Sequence, residues 1–298
     1  MTALIAGLHE IADRFDHVLL DQWGTVHEGK AVFPEARDCI RALRAAGKRV
    51  LILSNSGKRS DDNAERLATL GLPVKEHDGV LTSGEVLWHG LQERTAPPFN
   101  QLGRRALLIG SNVLSMVEGL DVVAVTNPMR AEFVWLASLD ETNADLEAWR
   151  DDLESFAARR LPMLCANPDL TMFTSKGLLP APGALAALYA TLGGTVHYIG
   201  KPHAAIFAAA LRQLGDPKPE RVLVVGDSLD HDVEGGRRAG MPTALVTSGV
   251  HGKALAEARD LGAAIRDLAG DPKRIPDWAI PRLMWCGLRW CNRRNCSS

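Results

Sequence analysis

Short apolar runs alternate with stretches of helical periodicity along most of the chain. The runs predict buried strands, and the stretches between them predict helices. Pro34 opens one such helix over 35–46 and Gly47 ends it. A strand, a helix and a second strand in this order make a βαβ unit with parallel strands. The clearest strand runs are 18–20, 49–53, 106–110, 133–137 and 222–225. We therefore expect an α/β fold with a Rossmann-like parallel sheet at its core.

The strand and helix pattern repeats in the middle of the chain, which predicts a second α/β unit there. We expect residues 84–178 to form an inserted α/β domain within a core made of residues 1–83 and 179–270. Residues 2–15 have nearly helical apolar spacing and predict a short amphipathic helix. Residues 271–298 do not fit the strand and helix pattern, and we expect a poorly ordered extension. Its cysteines Cys286, Cys291 and Cys296 match no common zinc or cluster spacing.

Composition changes this prediction little. The 298 residues are 46% apolar with a formal net charge of −2, so nothing indicates a nucleic-acid partner. The chain has no run of 18 apolar residues, which argues against a membrane span. Residues 1–16 carry acids and no basic stretch, unlike a secretory signal, and we expect a cytoplasmic protein. Cys39 and Cys165 lie in apolar contexts typical of reduced core cysteines.

Two of the predicted strands end in an acid. Asp21 follows the run 18–20, and Asp227 follows 222–225. If both strands are parallel in one sheet, their carboxylates meet at its carboxyl edge, where open α/β sheets bind ligands. Such a pair could hold a hard cation such as Mg²⁺, and Asp21 could also act as a nucleophile. The alternative for Asp21 is an acid that caps the turn. A calcium loop over 230–241 is excluded because Met241 stands where a glutamate is needed.

Other polar residues follow strands at positions suited to an anion. Ser54 and Asn55 come directly after the run 49–53, and Lys201 stands between Gly200 and Pro202 after a strand at 196–199. Hydroxyl, amide and ammonium groups there could hold a phosphate. Each has a simpler alternative, because Ser and Asn often cap helices and lysines are usually exposed. In the inserted domain, Asn167 and Asp169 flank Pro168 after a strand, where a plain turn is the alternative.

Four motifs in this order resemble those of the haloacid dehalogenase (HAD) superfamily. They are Asp21-x-Trp23-Gly24-Thr25, Ser54-Asn55-Ser56, Gly200-Lys201-Pro202 and Gly226-Asp227-x4-Asp232. The roughly one hundred residues between the second and third motifs are similar to the α/β cap of class IIA, the nitrophenylphosphatase-like branch. The resemblance covers about residues 15–265. It implies the HAD fold and a hydrolase, most often a phosphatase.

The resemblance also implies roles for single residues. Asp21 would attack phosphorus and become phosphorylated, Ser54 and Asn55 would contact the phosphoryl group, and Lys201 would neutralise charge on both phosphate and Asp21. Mg²⁺ would be bound by Asp21, the Trp23 backbone carbonyl, Asp227 and Asp232. Asn167 and Asp169 would lie on a cap loop near the substrate. Relatives of this branch act on small phosphorylated metabolites and often pair as homodimers through the cap.

Trp23 departs from the phosphatase pattern. Most phosphatases of the superfamily have a second aspartate there, which protonates the leaving oxygen, a contribution worth roughly 10²–10⁴-fold. Another acid such as His27 could replace it, although a histidine in a surface loop is the simpler prediction for His27. Superfamily dehalogenases carry an aromatic residue here, so a carbon–halogen hydrolase stays open. A phosphometabolite-binding or regulatory protein with little turnover is the third hypothesis.

Overall fold

The computed structural model describes residues 2–111, 114–174 and 177–286. In chain order its strands are β1 (Ala3–Leu4), β2 (His17–Asp21), β3 (Arg49–Ser54), β4 (Val80–Thr82), β5 (Arg105–Ile109), β6 (Val123–Val125), β7 (Phe133–Leu136), β8 (Met163–Cys165), β9 (Thr171–Thr174), β10 (Gly177–Pro180), β11 (Val196–Tyr198), β12 (Val222–Gly226), β13 (Thr243–Val246) and β14 (Trp278–Ile280). Its helices are α1 (Pro34–Ala45), α2 (Ser60–Leu70), α3 (Ser83–Glu93), α4 (Arg150–Ala158), α5 (Pro182–Thr191), α6 (Ala204–Leu214), α7 (Glu234–Arg238), α8 (Gly252–Ala256) and α9 (Leu261–Ala269). Among the described residues, no helix combines the length and apolar character needed to cross a membrane.

Inter-residue contacts divide the described chain into two compact units. Unit 1 comprises residues 2–54, 64–81 and 207–286, and unit 2 comprises residues 55–63 and 82–206. Residues 179–206 therefore group with the second unit, because β11 pairs in parallel with β8. The predicted inserted domain ended at 178. The assignment of 84–178 as a cap stays a prediction, and unit 2 has wider bounds than this predicted domain.

A seven-stranded sheet forms the centre of unit 1, in the order β1-β14-β13-β12-β2-β3-β4. The pairs from β1 through β3 are all parallel. The sheet is buried on both faces: Leu20 and Ile52 pack with Ile40 of α1, while Leu19 and Leu51 face the other way and are equally inaccessible. Continuous apolar runs are typical of parallel strands covered on both faces, which is why β2, β3 and β12 were predictable.

Unit 2 has a parallel five-stranded sheet, ordered β11-β8-β7-β5-β6, and a separate antiparallel hairpin of β9 and β10. One hydrophobic cluster joins alternate residues of β7 and β8 to α4 and α5, and Phe156 and Tyr189 are the largest buried side chains of this cluster. The Tyr189 hydroxyl donates to the Leu161 carbonyl oxygen at 2.6 Å, so this buried polar group is satisfied. The α/β class predicted for this part of the chain is confirmed.

Both ends of unit 1 differ from the prediction. Residues 2–15 do not form a helix: β1 pairs with β14, and two 3₁₀ turns at Leu8–Glu10 and Ala12–Arg14 follow. Of the apolar residues that suggested the helix, Leu8, Ile11 and Ala12 are buried in this segment, whereas Leu4 of β1 is 55% exposed. The described part of the extension, residues 271–286, is ordered, because its strand β14 lies between β1 and β13. Cys291 and Cys296 lie outside the described residues.

An ionic cluster ties α1 to the turn before β4. Glu76 accepts two hydrogen bonds from Arg37, at 2.7 and 2.8 Å, and two from Arg41, at 3.1 and 2.8 Å. These guanidinium groups lower the pKa of Glu76 from 4.5 to about 2. Because the native pKa lies below the unfolded one, the carboxylate stabilises the fold above pH 4.5, and this contribution is lost as the pH falls toward 2.

We expect Glu76→Gln to lower the free energy of unfolding by about 1–2 kcal/mol at pH 7, since the arginines lose an anionic acceptor on a partly solvated surface. The difference from the wild type should shrink as the pH falls from 5 to 3, because Glu76 takes up a proton in the unfolded chain there while it stays ionised in the folded protein. Urea unfolding at pH 7, 5 and 3 measures both effects. Glu65→Gln, on the exposed side of α2, is the control for charge change alone. A constant difference at every pH would contradict this account.

Candidate active site

Three strand ends meet at the carboxyl edge of the unit 1 sheet. Asp21 is the last residue of β2, which lies between β12 and β3. The register pairs Leu20 with Val225 and Asp21 with Leu53. Asp227 directly after β12 and Ser54 at the end of β3 are therefore at the same edge as Asp21, as the parallel arrangement requires.

The carboxylates of Asp21, Asp227 and Asp232 form a cluster. Each offers an oxygen, and the three oxygens lie within 4.8 Å of one another. Asp227 and Asp232 are 7% and 2% exposed, and Asp21 is partly buried. Three acids this close repel one another unless a cation shares them, and carboxylate oxygens are the ligands preferred by Mg²⁺ and Ca²⁺. The donor set therefore fits a hard divalent cation.

Two glycines make room for Asp227. A Cβ atom added to either Gly24 or Gly249 would lie 2.1 Å from Asp227 Oδ2. Gly24 also has a φ of +78°, which disfavours any side chain there. The same Oδ2 atom accepts a hydrogen bond from the Val250 backbone N–H at 2.8 Å. The carboxylate is thus fixed between the loops that follow β2 and β13.

Asp232 is held by the segment that follows β12. Its Oδ2 atom accepts from the Ser228 backbone N–H at 3.1 Å, and its carboxylate packs against Gly226, where an added Cβ would be 2.1 Å away. Residues Leu229–Val233 form a π-helical turn, and Ser228 caps it by accepting from the His231 N–H at 3.2 Å. π turns are common at functional sites because they redirect single side chains.

Trp23 stands two residues after Asp21 and is 42% exposed. Its indole meets the His27 ring edge to face, with centroids 5.5 Å apart and planes at 80°. Gly29 has a φ of +93°, and an added Cβ would lie 2.5 Å from the indole. The Gly24 N–H donates to the His27 carbonyl at 2.8 Å, which closes the loop beneath the ring. The indole is therefore fixed in position while much of it faces solvent.

His27 is not the surface residue that was predicted. It is 1% exposed, and burial, with a smaller contribution from Arg66, lowers its pKa to about 4. Its Nδ1 atom accepts from the Gly29 N–H at 2.9 Å, so in the neutral ring the proton lies on Nε2. Nε2 is buried and has no hydrogen-bond partner among the described residues. A neutral, enclosed imidazole is poorly suited to donate a proton to a substrate.

A pocket of about 250 Å³ adjoins the glycines that enclose Asp227. Gly24, Thr25 and Gly249 line its inner side, and Glu28 and Arg282 are among its other lining residues. Arg282 donates to Glu35 at 2.6 Å, which joins the segment after β14 to the start of α1. Glu28, an exposed acid on the same loop as Trp23, therefore lines this pocket.

The remaining predicted site residues come together in unit 2. Asn55 Oδ1 accepts from the Lys201 backbone N–H at 2.7 Å, and Asn55 Nδ2 donates to the Lys201 carbonyl at 3.2 Å and to Asp169 Oδ1 at 2.8 Å. Asn167 Oδ1 accepts from the Asp169 N–H at 2.9 Å. Gly200 is required here, because an added Cβ would lie 2.5 Å from Asn55 Oδ1. The Asn55 side chain therefore joins Lys201 and Asp169, which lie 146 and 114 residues further along the chain.

Lys201 is only 2% exposed, unlike the solvent-facing lysine that was the simpler alternative. Lysine is almost never this buried without a compensating negative group, so its position favours a role with an anion. The sequence interpretation missed the loop Ser248–Val250. The signal was present, because Thr247, Ser248 and Gly249 are small residues directly after a parallel strand, the same pattern that identified Ser54.

Comparisons with known proteins support this chemistry. A sequence model described as haloacid dehalogenase-like hydrolase matches residues 18–128, and a HAD-hydrolase-like model matches residues 198–270. D-glycerol 3-phosphate phosphatase of Mycobacterium tuberculosis is 30% identical over 289 residues, covering 92% of this chain and 78% of the relative.

Two solved structures are similar over most of the chain. A haloacid dehalogenase-like family hydrolase from Brucella suis is 30% identical with a TM-score of 0.79, covering 94% of this chain and 100% of that one. Glycerol phosphate phosphatase of M. tuberculosis in complex with magnesium is 29% identical with a TM-score of 0.67, covering 92% and 76%. The same enzyme is also known in complex with calcium. The relative thus binds the kind of cation that fits the three carboxylates.

Proposed function

The chain belongs to class IIA of the haloacid dehalogenase-like hydrolases, and we propose that it is a magnesium-dependent phosphatase. The proposed substrate is a small phosphorylated metabolite, and the proposed intermediate is an aspartyl phosphate on Asp21. The observation that carries the proposal is the cluster of Asp21, Asp227 and Asp232. A hydrolase that needed no cation would have no reason to bury two carboxylates beside a third.

The proposed roles follow from the positions of the groups. Asp21 ends the central strand and supplies the nucleophilic oxygen, while Asp227 and Asp232 hold Mg²⁺ together with Asp21 and the Trp23 carbonyl. The bound ion would neutralise charge on the phosphoryl oxygens. Ser54 donates to the same phosphoryl group. Phosphoryl transfer depends mainly on such positioning and charge neutralisation.

Unit 2 supplies the other proposed contacts. We assign to Lys201 the neutralisation of the phosphate and to Asn55 the positioning of Lys201, since the amide bonds both its N–H and its carbonyl. Asn167 and Asp169 are proposed substrate contacts, with Asp169 oriented by Asn55. These roles rest on the family resemblance and on hydrogen bonds inside the unit.

A carbon–halogen hydrolase is the second candidate, because an exposed aromatic residue follows the nucleophile at Trp23. The carboxylate cluster weighs against it, since the superfamily dehalogenases work without a metal. A homodimer, a cap formed by residues 84–178 and a cytoplasmic location remain proposals from the sequence.

The test is phosphate release by the purified chain from glycerol 3-phosphate, a nucleoside monophosphate and 4-nitrophenyl phosphate, with Mg²⁺ and with EDTA. We expect release only with Mg²⁺ and full recovery when Mg²⁺ is added back after EDTA. Halide release from 2-chloropropionate in EDTA would establish the dehalogenase instead. Magnesium-dependent binding of phosphometabolites without any release would identify a binding protein and reject the phosphatase.

A further inference from the structure

The loop after Asp21 contains an aromatic platform where a proton donor would be useful. Trp23 is held by His27 and Gly29 and keeps 42% of its surface exposed. Its indole N–H cannot serve as a general acid, because it does not exchange a proton near neutral pH. Val250, whose N–H bonds Asp227, is a second exposed apolar side chain, at 64%. In unit 1, the carboxylate cluster is thus flanked by apolar surface.

Apart from Glu28, no side chain of the loop 22–29 is suited to protonate a leaving group. Gln22 and Thr25 are buried and carry no acidic proton, and His27 is enclosed with its Nδ1 occupied by the Gly29 N–H. Glu28 is exposed and is the one carboxyl group in this loop. It lines the pocket together with Gly24 and Gly249. Glu28 therefore becomes the competing assignment that an experiment must separate.

We propose that Trp23 restricts this enzyme to phosphate esters whose leaving group departs as a stabilised oxyanion, such as a phenolate or an enolate, and that its indole packs against that planar group. The inference rests on the proposed phosphatase function and deepens it. An alkoxide is too basic to leave without a proton, whereas a phenol has a pKa of about 10 and an electron-poor phenol less. A flat leaving group also gains stacking on the indole.

The reaction balances without a general acid. An Asp21 oxygen forms a bond to phosphorus, the bond from phosphorus to the leaving oxygen breaks, and the electron pair departs on that oxygen. Water then attacks phosphorus, the Asp21 carboxylate leaves, and both water protons remain on the released phosphate. One of these protons passes through solvent to the phenolate or enolate. The second step needs no acid either, because a carboxylate is itself a good leaving group.

The experiment is kcat/KM with Mg²⁺ for substituted phenyl phosphates that range from 4-nitrophenyl to phenyl phosphate, with glycerol 3-phosphate as the alkyl case. Because kcat/KM reports the steps up to cleavage of the ester bond, it depends on the leaving group even where breakdown of the aspartyl phosphate limits kcat. We expect kcat/KM of the wild type to fall roughly 100-fold from 4-nitrophenyl to phenyl phosphate, and to fall further for the alkyl ester. This is the dependence that cleavage without a proton donor requires.

Three variants separate the effect of an acid at position 23 from the effect of stacking on the indole. Trp23→Asp should raise kcat/KM for glycerol 3-phosphate by about 10²-fold and reduce the aryl dependence to roughly 10-fold or less. Trp23→Phe keeps an aromatic ring without an acid and should keep the steep dependence. Gly29→Ala, which displaces the indole, should raise KM for phenyl phosphates but not for acetyl phosphate, whose leaving group is not aromatic.

Each other outcome has a definite meaning. A flat wild-type dependence with good release from glycerol 3-phosphate would overturn the inference and leave the phosphatase standing. If Glu28→Gln then made that dependence steep, Glu28 would be the acid. No release from any ester would reject both the inference and the proposed function. Should Trp23→Asp fail to fold, the wild-type and Trp23→Phe series still decide the question.

Discussion

Asp21→Asn is expected to abolish magnesium-dependent phosphate release, with a loss on the order of 10⁴-fold or more, as removal of a nucleophile usually causes. The amide has nearly the shape of the carboxylate but a much weaker nucleophilic oxygen. The side chain lies at the end of a central strand of the sheet, so the backbone has little freedom to bring another group to its place. Loss of activity without loss of folding would therefore show that the reaction needs the Asp21 carboxylate, as nucleophile or as a ligand of Mg²⁺.

Three measurements make this result specific. Urea unfolding should show that Asp21→Asn is as stable as the wild type or more so, because one of three clustered negative charges is gone. Mass spectrometry of acid-quenched enzyme should show a phosphorylated peptide containing residue 21 in the wild type only. Asp13→Asn, on an exposed 3₁₀ turn, makes the same charge change and should keep full activity. Normal turnover by Asp21→Asn would show that water attacks phosphorus directly.

The sequence was most informative where long strands pass through the middle of the sheet. β2, β3 and β12 are continuous apolar runs, and parallel pairing then requires their following residues, among them Asp21 and Asp227, to share one edge. The sequence alone therefore predicts that the carboxylates of Asp21 and Asp227 lie close together. Their functional roles stay a prediction, because proximity alone assigns no chemistry.

Two short strands at one side of the sheet carried too little pattern to be recognised. β1 has two residues and β14 three, too few for an apolar and polar alternation to repeat, and the helical spacing over 2–15 comes partly from residues buried at the 3₁₀ turns. Contacts between residues that are distant in the sequence were not predictable from it either. Asn55 bonds Asp169 and Lys201 through tertiary packing, which local periodicity does not encode. The burial of His27 also depends on the fold around it, including the neighbouring Trp23 and Gly29.

Gly249→Ala is expected to weaken magnesium binding by about 10–100-fold, the usual effect of disturbing groups that orient a metal ligand. The added methyl carbon would lie 2.1 Å from Oδ2 and 2.2 Å from Cβ of Asp227, so the carboxylate or the loop must move. Either movement lengthens the 2.8 Å hydrogen bond from Val250 that fixes Oδ2. Titration of phosphate release with Mg²⁺ should show the shift, with kcat at saturating Mg²⁺ much less affected.

Gly249 is a sharper test than Gly24, since its φ lies outside the left-handed region and alanine strains only the contact with Asp227. Gly252→Ala, three residues on, is the matched control: its nearest neighbour would be the Thr247 carbonyl oxygen at 3.5 Å, an ordinary contact.

Thermal unfolding with and without Mg²⁺ gives a readout independent of activity, because an ion that binds the folded state raises its stability. That increase should be smaller in Gly249→Ala and smallest in Asp227→Asn. If Asp227→Asn kept the wild-type response to Mg²⁺, Asp227 would not be a metal ligand and its proposed role would be wrong.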